Sequence, residues 1–232
     1  MLSIQRIYKM CGRFAQVIKH DQLKKLIDEL DIKNRSEQIE LNYNLAPTQA
    51  CSAIINNKQE NLLSYFRWGL IPSWSKEIPS YALINVRSDT ILEKPSFKNG
   101  LTYRRCIVPA TGFYEWRKPD KLPFFIYPRE GDYFFFAGIF DHYTAPDGSE
   151  IPSLALITTE ANPSMAAIHN RMPVILTTKD MPTWLNSSFR DSASLQAMLN
   201  PCPDALLALH PVSRMVNSPQ NNSPECMYQI NE

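Results

Sequence analysis

Glycine is scarce in this 232-residue chain, with 7 residues against 18 prolines. Average usage is about 7% Gly and 5% Pro, so Gly-rich phosphate loops and collagen-like repeats are excluded, while stiff turns and edge strands are favoured. An excess of one charge is also missing. The 24 Lys and Arg against 23 Asp and Glu leave +1, too little to draw in nucleic acid or anionic membrane from a distance, so any phosphate binding must be local. The longest apolar run, around Tyr133 to Phe140, falls well short of the roughly 18 residues that span a bilayer, and no secretory apolar segment follows Met1. A soluble, cytoplasmic protein is expected. The five cysteines, Cys11, Cys51, Cys106, Cys202 and Cys226, form no C-x-x-C pair and no zinc-like spacing with His. Neither a disulfide framework nor a metal site is expected.

What is present is enough for a core. Apolar residues make up 44%, aromatics 11% and charged residues 20%, a balance that excludes wholesale disorder. At roughly 150 residues per domain, one large domain is expected. From His20 to Leu30, Leu23, Leu26, Ile27 and Leu30 recur at helical spacing with Lys24, Lys25, Asp28 and Glu29 outward, which predicts an amphipathic helix. After Pro47 the pattern turns to short β-branched and aromatic runs: 52–56, 62–68, 104–108, 113–116, 124–127, 133–140, 154–158 and 174–176. These predict strands. Helical signals return at 163–168, 181–185 and 192–199, and the polar residues from Gln220 onward are expected to be loose. Strand-rich sequence without βαβ alternation predicts an α+β domain around a curved or barrel-like sheet.

Several segments carry polar residues where a plain strand protein has a hydrophobic face. In Met10-Cys11-Gly12-Arg13-Phe14, removal of the methionine would leave an N-terminal cysteine. Its α-amine, with a reference pKa of about 7.7–8.0, can condense with an aldehyde, and its thiol can close the imine to a thiazolidine. Taken alone, Cys11 reads first as a small buried core residue. Glu115 sits among large aromatics in Gly112-Phe113-Tyr114-Glu115-Trp116, where desolvation favours the neutral acid and suits proton transfer; a surface pair with Arg117 is the alternative. His169 lies at a helix-to-strand junction where side chains often point into a cleft, or it is a satisfied structural histidine. Asn85 and Arg87 alternate along a strand, so one face offers an amide and a cation to sugar oxygen and phosphate, or is simply polar. Eight of the twelve arginines, Arg13, Arg67, Arg87, Arg104, Arg105, Arg117, Arg171 and Arg214, lie in or beside these segments, a local anion-binding surface. Trp68 and Trp74 flank Gly69 and Pro72, the shape of a stacking wedge against bases or of two core residues.

These blocks, together with Tyr43 to Thr48, Asn85-Val86-Arg87-Ser88-Asp89-Thr90, Cys106 to Trp116, Ile168 to Pro173 and His210 to Ser213, resemble the SOS response-associated peptidase family, the abasic-site processing proteins. The resemblance runs from Met10 to about Asn217. It implies a bifurcated, partly barrel-like sheet flanked by helices and a protein that captures abasic sites in single-stranded DNA without a cofactor, as a monomer, near the nucleoid during DNA damage. By motif position, Cys11 is the attacking residue, Asn85 holds the sugar oxygen, Glu115 assists ring opening and proton movement, and His169 serves proton transfer in forming and reversing the Schiff base. Arg13, Arg87 and Pro47 would shape the phosphate pocket, Arg171 and Arg214 would join the DNA-binding surface, and Trp68, Trp74 and Trp116 would line the DNA path. Val86 and Asp89 stand where the family more often has Ala and Glu. Ten residues precede Cys11, and an amide nitrogen cannot condense with an aldehyde, so Met10 is the true start or residues 1–10 are removed. The expected divisions are thus an extension over 1–10, one domain over 11–219 and a polar tail over 220–232. A cysteine peptidase using Cys11, Glu115 and His169, and a non-catalytic nucleic-acid binding module, are the competing classes.

Overall fold

The computed structural model describes residues 11–33, 39–118 and 120–231; the extension over 1–10 lies outside them. In chain order the elements are β1 (Phe14–Gln16), α1 (His20–Glu29), β2 (Asn42–Leu45), β3 (Ala50–Asn56), β4 (Asn61–Trp68), β5 (Asn85–Arg87), α2 (Pro95–Tyr103), β6 (Arg105–Ala110), β7 (Gly112–Trp116) and β8 (Pro123–Pro128). They continue with β9 (Phe134–Thr144), β10 (Glu150–Glu160), α3 (Pro163–Ala166), β11 (Arg171–Pro173), α4 (Met181–Leu185), α5 (Ser192–Ala197) and β12 (Leu207–Pro211). The expected helix forms as α1, with Leu23 and Leu26 buried and the Gln22 side chain accepting from the Lys19 backbone N–H at 2.9 Å.

The strands form two sheets. β10, β4, β3, β6 and β9 close into a ring because β9 also pairs with β10, leaving those strands no open edge between them. The pairing of β10 changes along its length. One edge carries antiparallel β9 and then β11, while the other carries parallel β4 and then β5. The second sheet, in the order β12-β8-β7-β1-β2, is antiparallel throughout. This α+β arrangement matches the expected class, with two parallel pairs on β10 that the lack of βαβ alternation did not predict.

Alternation along the ring strands explains the core. Ile107, Phe135, Ala137, Ile139, Ala155 and Ile157 join one cluster with Leu26, Trp184 and Leu195 from the helices. Their neighbours in sequence, Cys106, Val108, Phe134, Phe136, Leu154 and Leu156, join a second cluster with Phe14, Phe113 and Ile126 from the other sheet. Both faces of β9 are therefore covered, which is why it reads as a continuous hydrophobic run rather than an alternating one.

Two sequence readings are corrected. α2 was not predicted, because Asn99-Gly100 interrupts it and its apolar spacing is irregular; Gly100 is tolerated because a Cβ there would lie 2.9 Å from Ile139 Cδ1, so the helix backbone packs directly on β9. The tail beyond Gln220 is not loose. A 3₁₀ turn at Pro224–Met227 buries Cys226 among Tyr114, Val212 and Val216, and Ile230 N–H donates to Pro211 O at 3.0 Å. A polar composition concealed a segment held by backbone pairing and one buried thiol.

Candidate active site

The antiparallel register of β1 on β7, with Phe14 opposite Phe113, carries the residue preceding β1 to the end of β7. Tyr114 N–H donates to Arg13 O at 2.9 Å, and two residues earlier Cys11 meets Glu115. The Cys11 backbone nitrogen donates to Glu115 Oε1 at 2.5 Å. Gly112, at the start of β7, lets β8 pack close behind it, since a Cβ there would stand 2.5 Å from Ile126 O. Cys11 itself takes φ +30°, a sparsely populated conformation for a residue with a side chain, of the kind found at functional sites.

Asn85 arrives from the other sheet, and His169 from the loop between α3 and β11. β5 places the Asn85 amide to donate to Cys11 O at 3.4 Å. α3 is capped by Asn162, whose Oδ1 accepts from Met165 N–H at 3.0 Å, and His169 N–H closes the following turn on Met165 O at 2.8 Å. The buried His169 ring accepts from Arg171 N–H through Nδ1 at 3.2 Å, which leaves the proton of the neutral ring on Nε2. Cys11, Asn85, Glu115 and His169 are thus brought together from four separate segments.

Burial governs their protonation. Glu115, 4% exposed, has its carboxyl pushed above the usual carboxylate range by desolvation, opposed by His169 and by N–H donation from Cys11 and Trp116. The Cys11 thiol is raised well above its ordinary value by burial first, then by the charge of Glu115 and a hydrogen bond to it, with Arg171 pulling the other way. The thiol is accordingly held in its protonated form, and burial favours the neutral carboxyl of Glu115. Among the described residues, no three His, Cys, Asp or Glu side chains converge as a metal-ligand set.

The residues read as DNA-binding divide. Arg87 and Arg171 lie beside Asn85: Arg87 Nε donates to Asp89 at 3.0 Å, and the buried Arg171 is fixed by Thr158 O at 2.5 Å and reaches Asp89 at 3.6 Å. On the opposite flank, Arg13 bonds to Asn44 Oδ1 at 2.7 Å and Val216 O at 2.6 Å, and Trp116 Nε1 donates to Asn217 at 2.8 Å. Pro47 is half-buried in the turn after β2, Arg214 is exposed beside the carbonyls of Asp120 and Lys121, and Trp74 is 73% exposed on the β4–β5 connection. Trp68 is corrected. It is fully buried, 4.9 Å from Phe14 between ring centroids, with Nε1 donating to Ile84 O at 3.0 Å, so it supports the site from beneath and offers no face to a base. Arg105 also leaves the anion-binding set, because its guanidinium is spent inside on the carbonyls of Leu101, Thr102, Trp184, Asn186 and Phe189. Sequence reading missed Asp89 as a shared partner of two arginines. The signal was the Arg-x-Asp spacing beside a short strand.

A two-sheet α+β fold thus sets the buried Glu115 carboxyl against the Cys11 nitrogen and the Asn85 amide against the Cys11 carbonyl, with His169 acting on Glu115. The family model for the SOS response associated peptidase (SRAP) matches residues 10–219, and the chain belongs to that family. It is 41% identical to the abasic site processing protein YoqW of Bacillus subtilis (strain 168) over 222 residues, covering 93% of this chain and 98% of that one. It is 34% identical to the abasic site processing protein HMCES of Gallus gallus over 264 residues, covering 95% and 78% respectively. A crystal structure of a Bacteroides thetaiotaomicron protein superposes with a TM-score of 0.82 at 27% identity, over 95% of this chain and all of that one. Among the described residues, no helix is long and apolar enough to cross a membrane.

Proposed function

We propose that this protein recognises abasic sites in single-stranded DNA and captures them covalently through Cys11. The observation that carries this reading is the 2.5 Å approach of the Cys11 nitrogen to a buried Glu115 carboxylate, with His169 and Asn85 at hand. Once residues 1–10 are gone, that nitrogen is an α-amine with a reference pKa of about 7.7–8.0. Glu115 takes a proton from the ammonium, and the amine adds to the aldehyde of the ring-opened deoxyribose. Returning that proton to the carbinolamine oxygen expels water and leaves an imine. The Cys11 thiol then adds to the imine carbon and its proton passes to the nitrogen, closing a thiazolidine. The net reaction is aldehyde plus cysteine giving thiazolidine plus one water.

His169, with its proton on Nε2, serves transfer in forming and reversing the imine. In the lyase branch the Glu115 carboxylate takes the sugar proton that the imine acidifies, and His169 Nε2–H donates to the 3′ phosphate as it leaves. Asn85 holds the sugar oxygen, while Arg13, Arg87, Arg171 and Arg214, with Pro47, Trp74 and Trp116, meet the strand. The same site supports a maturation step. The Cys11 thiol gives its proton to Glu115 and adds to the Met10 carbonyl, Glu115 passes that proton to the nitrogen as the C–N bond breaks, and water hydrolyses the thioester, releasing residues 1–10 and freeing amine and thiol together. The proximity of thiol and carboxyl favours this self-directed peptidase reading. The test is a denaturing gel of the mature protein with matched single strands. A shifted band with the abasic strand alone is expected, and equal bands with both strands, or none, would overturn the proposal.

A further inference from the structure

The face of β5 that carries Asn85 to Cys11 also carries Arg87, roughly 6.6 Å further along the strand. Beyond it opens a cleft of about 490 Å³, whose lining includes Arg87, Asp89, Arg171, Glu160, Gln196 and Asn200. The cleft already holds an anion of its own. Asp89 takes the Arg87 guanidinium through both Nε and Nη2, and the same carboxylate reaches Arg171 Nη2 at 3.6 Å. That two-point grip uses the planar fork by which an arginine holds a phosphate. A strand phosphate and the Asp89 carboxylate therefore compete for one seat.

The surroundings fit an exchange rather than a permanent brace. The backbone bearing both residues is pinned, since Ser88 N–H donates to Thr158 O at 2.9 Å and Gln196 Nε2 donates to Ser88 O at 3.0 Å. Arg171 is anchored on Thr158, with a side chain only 8% exposed. The Arg87 and Asp89 side chains, in contrast, are 52% and 49% exposed, so the pair can open by side-chain rotation alone, and a pair this exposed is held weakly. Two guanidiniums, Asp89 and Glu160 sum to no net charge, and Glu93 also acts on Arg87. With Asp89 seated, the cleft exerts little pull on DNA.

We propose that Asp89 is an internal stand-in for a backbone phosphate, occupying the Arg87–Arg171 seat until a strand phosphate displaces it. This sets specificity. Undamaged single strands are held weakly, and lasting retention is left to the covalent bond at Cys11. The inference rests on the DNA reading given above.

The experiment measures binding of the full chain to an undamaged, fluorescently labelled single strand between about 50 and 200 mM salt, by anisotropy. Asp89→Asn should bind about tenfold more tightly at the low-salt end, with a log–log salt slope steeper by roughly 0.7, the increment for one further phosphate contact on a single strand. Asp89→Ser should give the same change, so the test does not hang on one variant folding. Asp89→Glu, which keeps the charge, should follow the parent slope. Unchanged or weaker binding in both neutral variants would overturn the proposal and make Asp89 a brace for Arg87. A parent chain that neither binds single strands nor forms adducts would overturn the DNA reading, and this inference with it.

Discussion

Glu115 and Asp89 are carboxylates of one site, yet burial pushes the first above the ordinary range while the Arg87 hydrogen bond, first among several causes, draws the second down to about 2. Glu115, in β7 against Cys11, is 4% exposed, whereas Asp89 stands half in water. In the proposed mechanism the difference separates two tasks. Proton transfer needs a carboxyl whose charged form is costly, so that its pKa moves toward neutrality, and that requires removal from solvent. Strand binding needs charges that exchange partners quickly, which solvent exposure provides.

The comparison breaks most visibly at Cys11. Cys11→Ala should abolish the denaturation-resistant adduct while leaving non-covalent affinity for single strands within a few-fold of the parent, as read by gel and by anisotropy. Loss of both together would mean that capture and binding are not separate regions. Glu115→Gln comes next. It keeps an acceptor for the Cys11 nitrogen but removes the proton exchange, and general acid–base roles typically supply about 10²–10⁴ in rate. Adduct formation should slow within that range near neutral pH, measured as single-turnover capture; capture at the parent rate would remove Glu115 from the mechanism.

The tryptophans sharpen the same contrast between inside and outside. Trp68→Ala should cost about 3–5 kcal/mol of stability, as for other buried tryptophans, measured by urea unfolding. Trp74→Ala should leave stability within about 0.5 kcal/mol and weaken strand binding by about 1–3 kcal/mol if a base stacks on it. The smallest effect is one of linkage. The Glu115 pKa is raised in the fold, so the folded state binds the proton more tightly than the unfolded state. Its stabilising contribution is complete below the unfolded value of about 4.3 and is lost as pH rises through the folded value. Glu115→Gln should therefore raise Tm at neutral pH, as read by thermal unfolding. The gain should vanish below about pH 4, and a gain that persists there would mean that burial of the charge is not its cause.

Strands with clean β-branched or aromatic patterns, such as β3, β4 and β8, were legible because propensity and burial agree. α2 was not, because its stability comes from packing Gly100 against Ile139, a contact far apart in sequence. β1 and β2 escaped for a similar reason: they are short, and long-range pairing rather than local pattern defines them. At the site, residue type marked Glu115, since a carboxyl among aromatics invites desolvation. Residue type could not tell Trp68 from Trp74 or Arg105 from Arg87, because each pair shares one chemistry and differs only in which side of a sheet or helix it meets. Asp89 was noted only as a departure from the family pattern, and its role depended on Arg171, which approaches from another strand.

The central claim is that the Cys11 nitrogen acts as a free amine, and intact-mass analysis of the adduct tests it most directly. Protein reacted with an abasic single strand should show the mass of a chain beginning at Cys11 plus the oligonucleotide, less one water. A stable adduct on a chain still carrying residues 1–10 would contradict the amine mechanism.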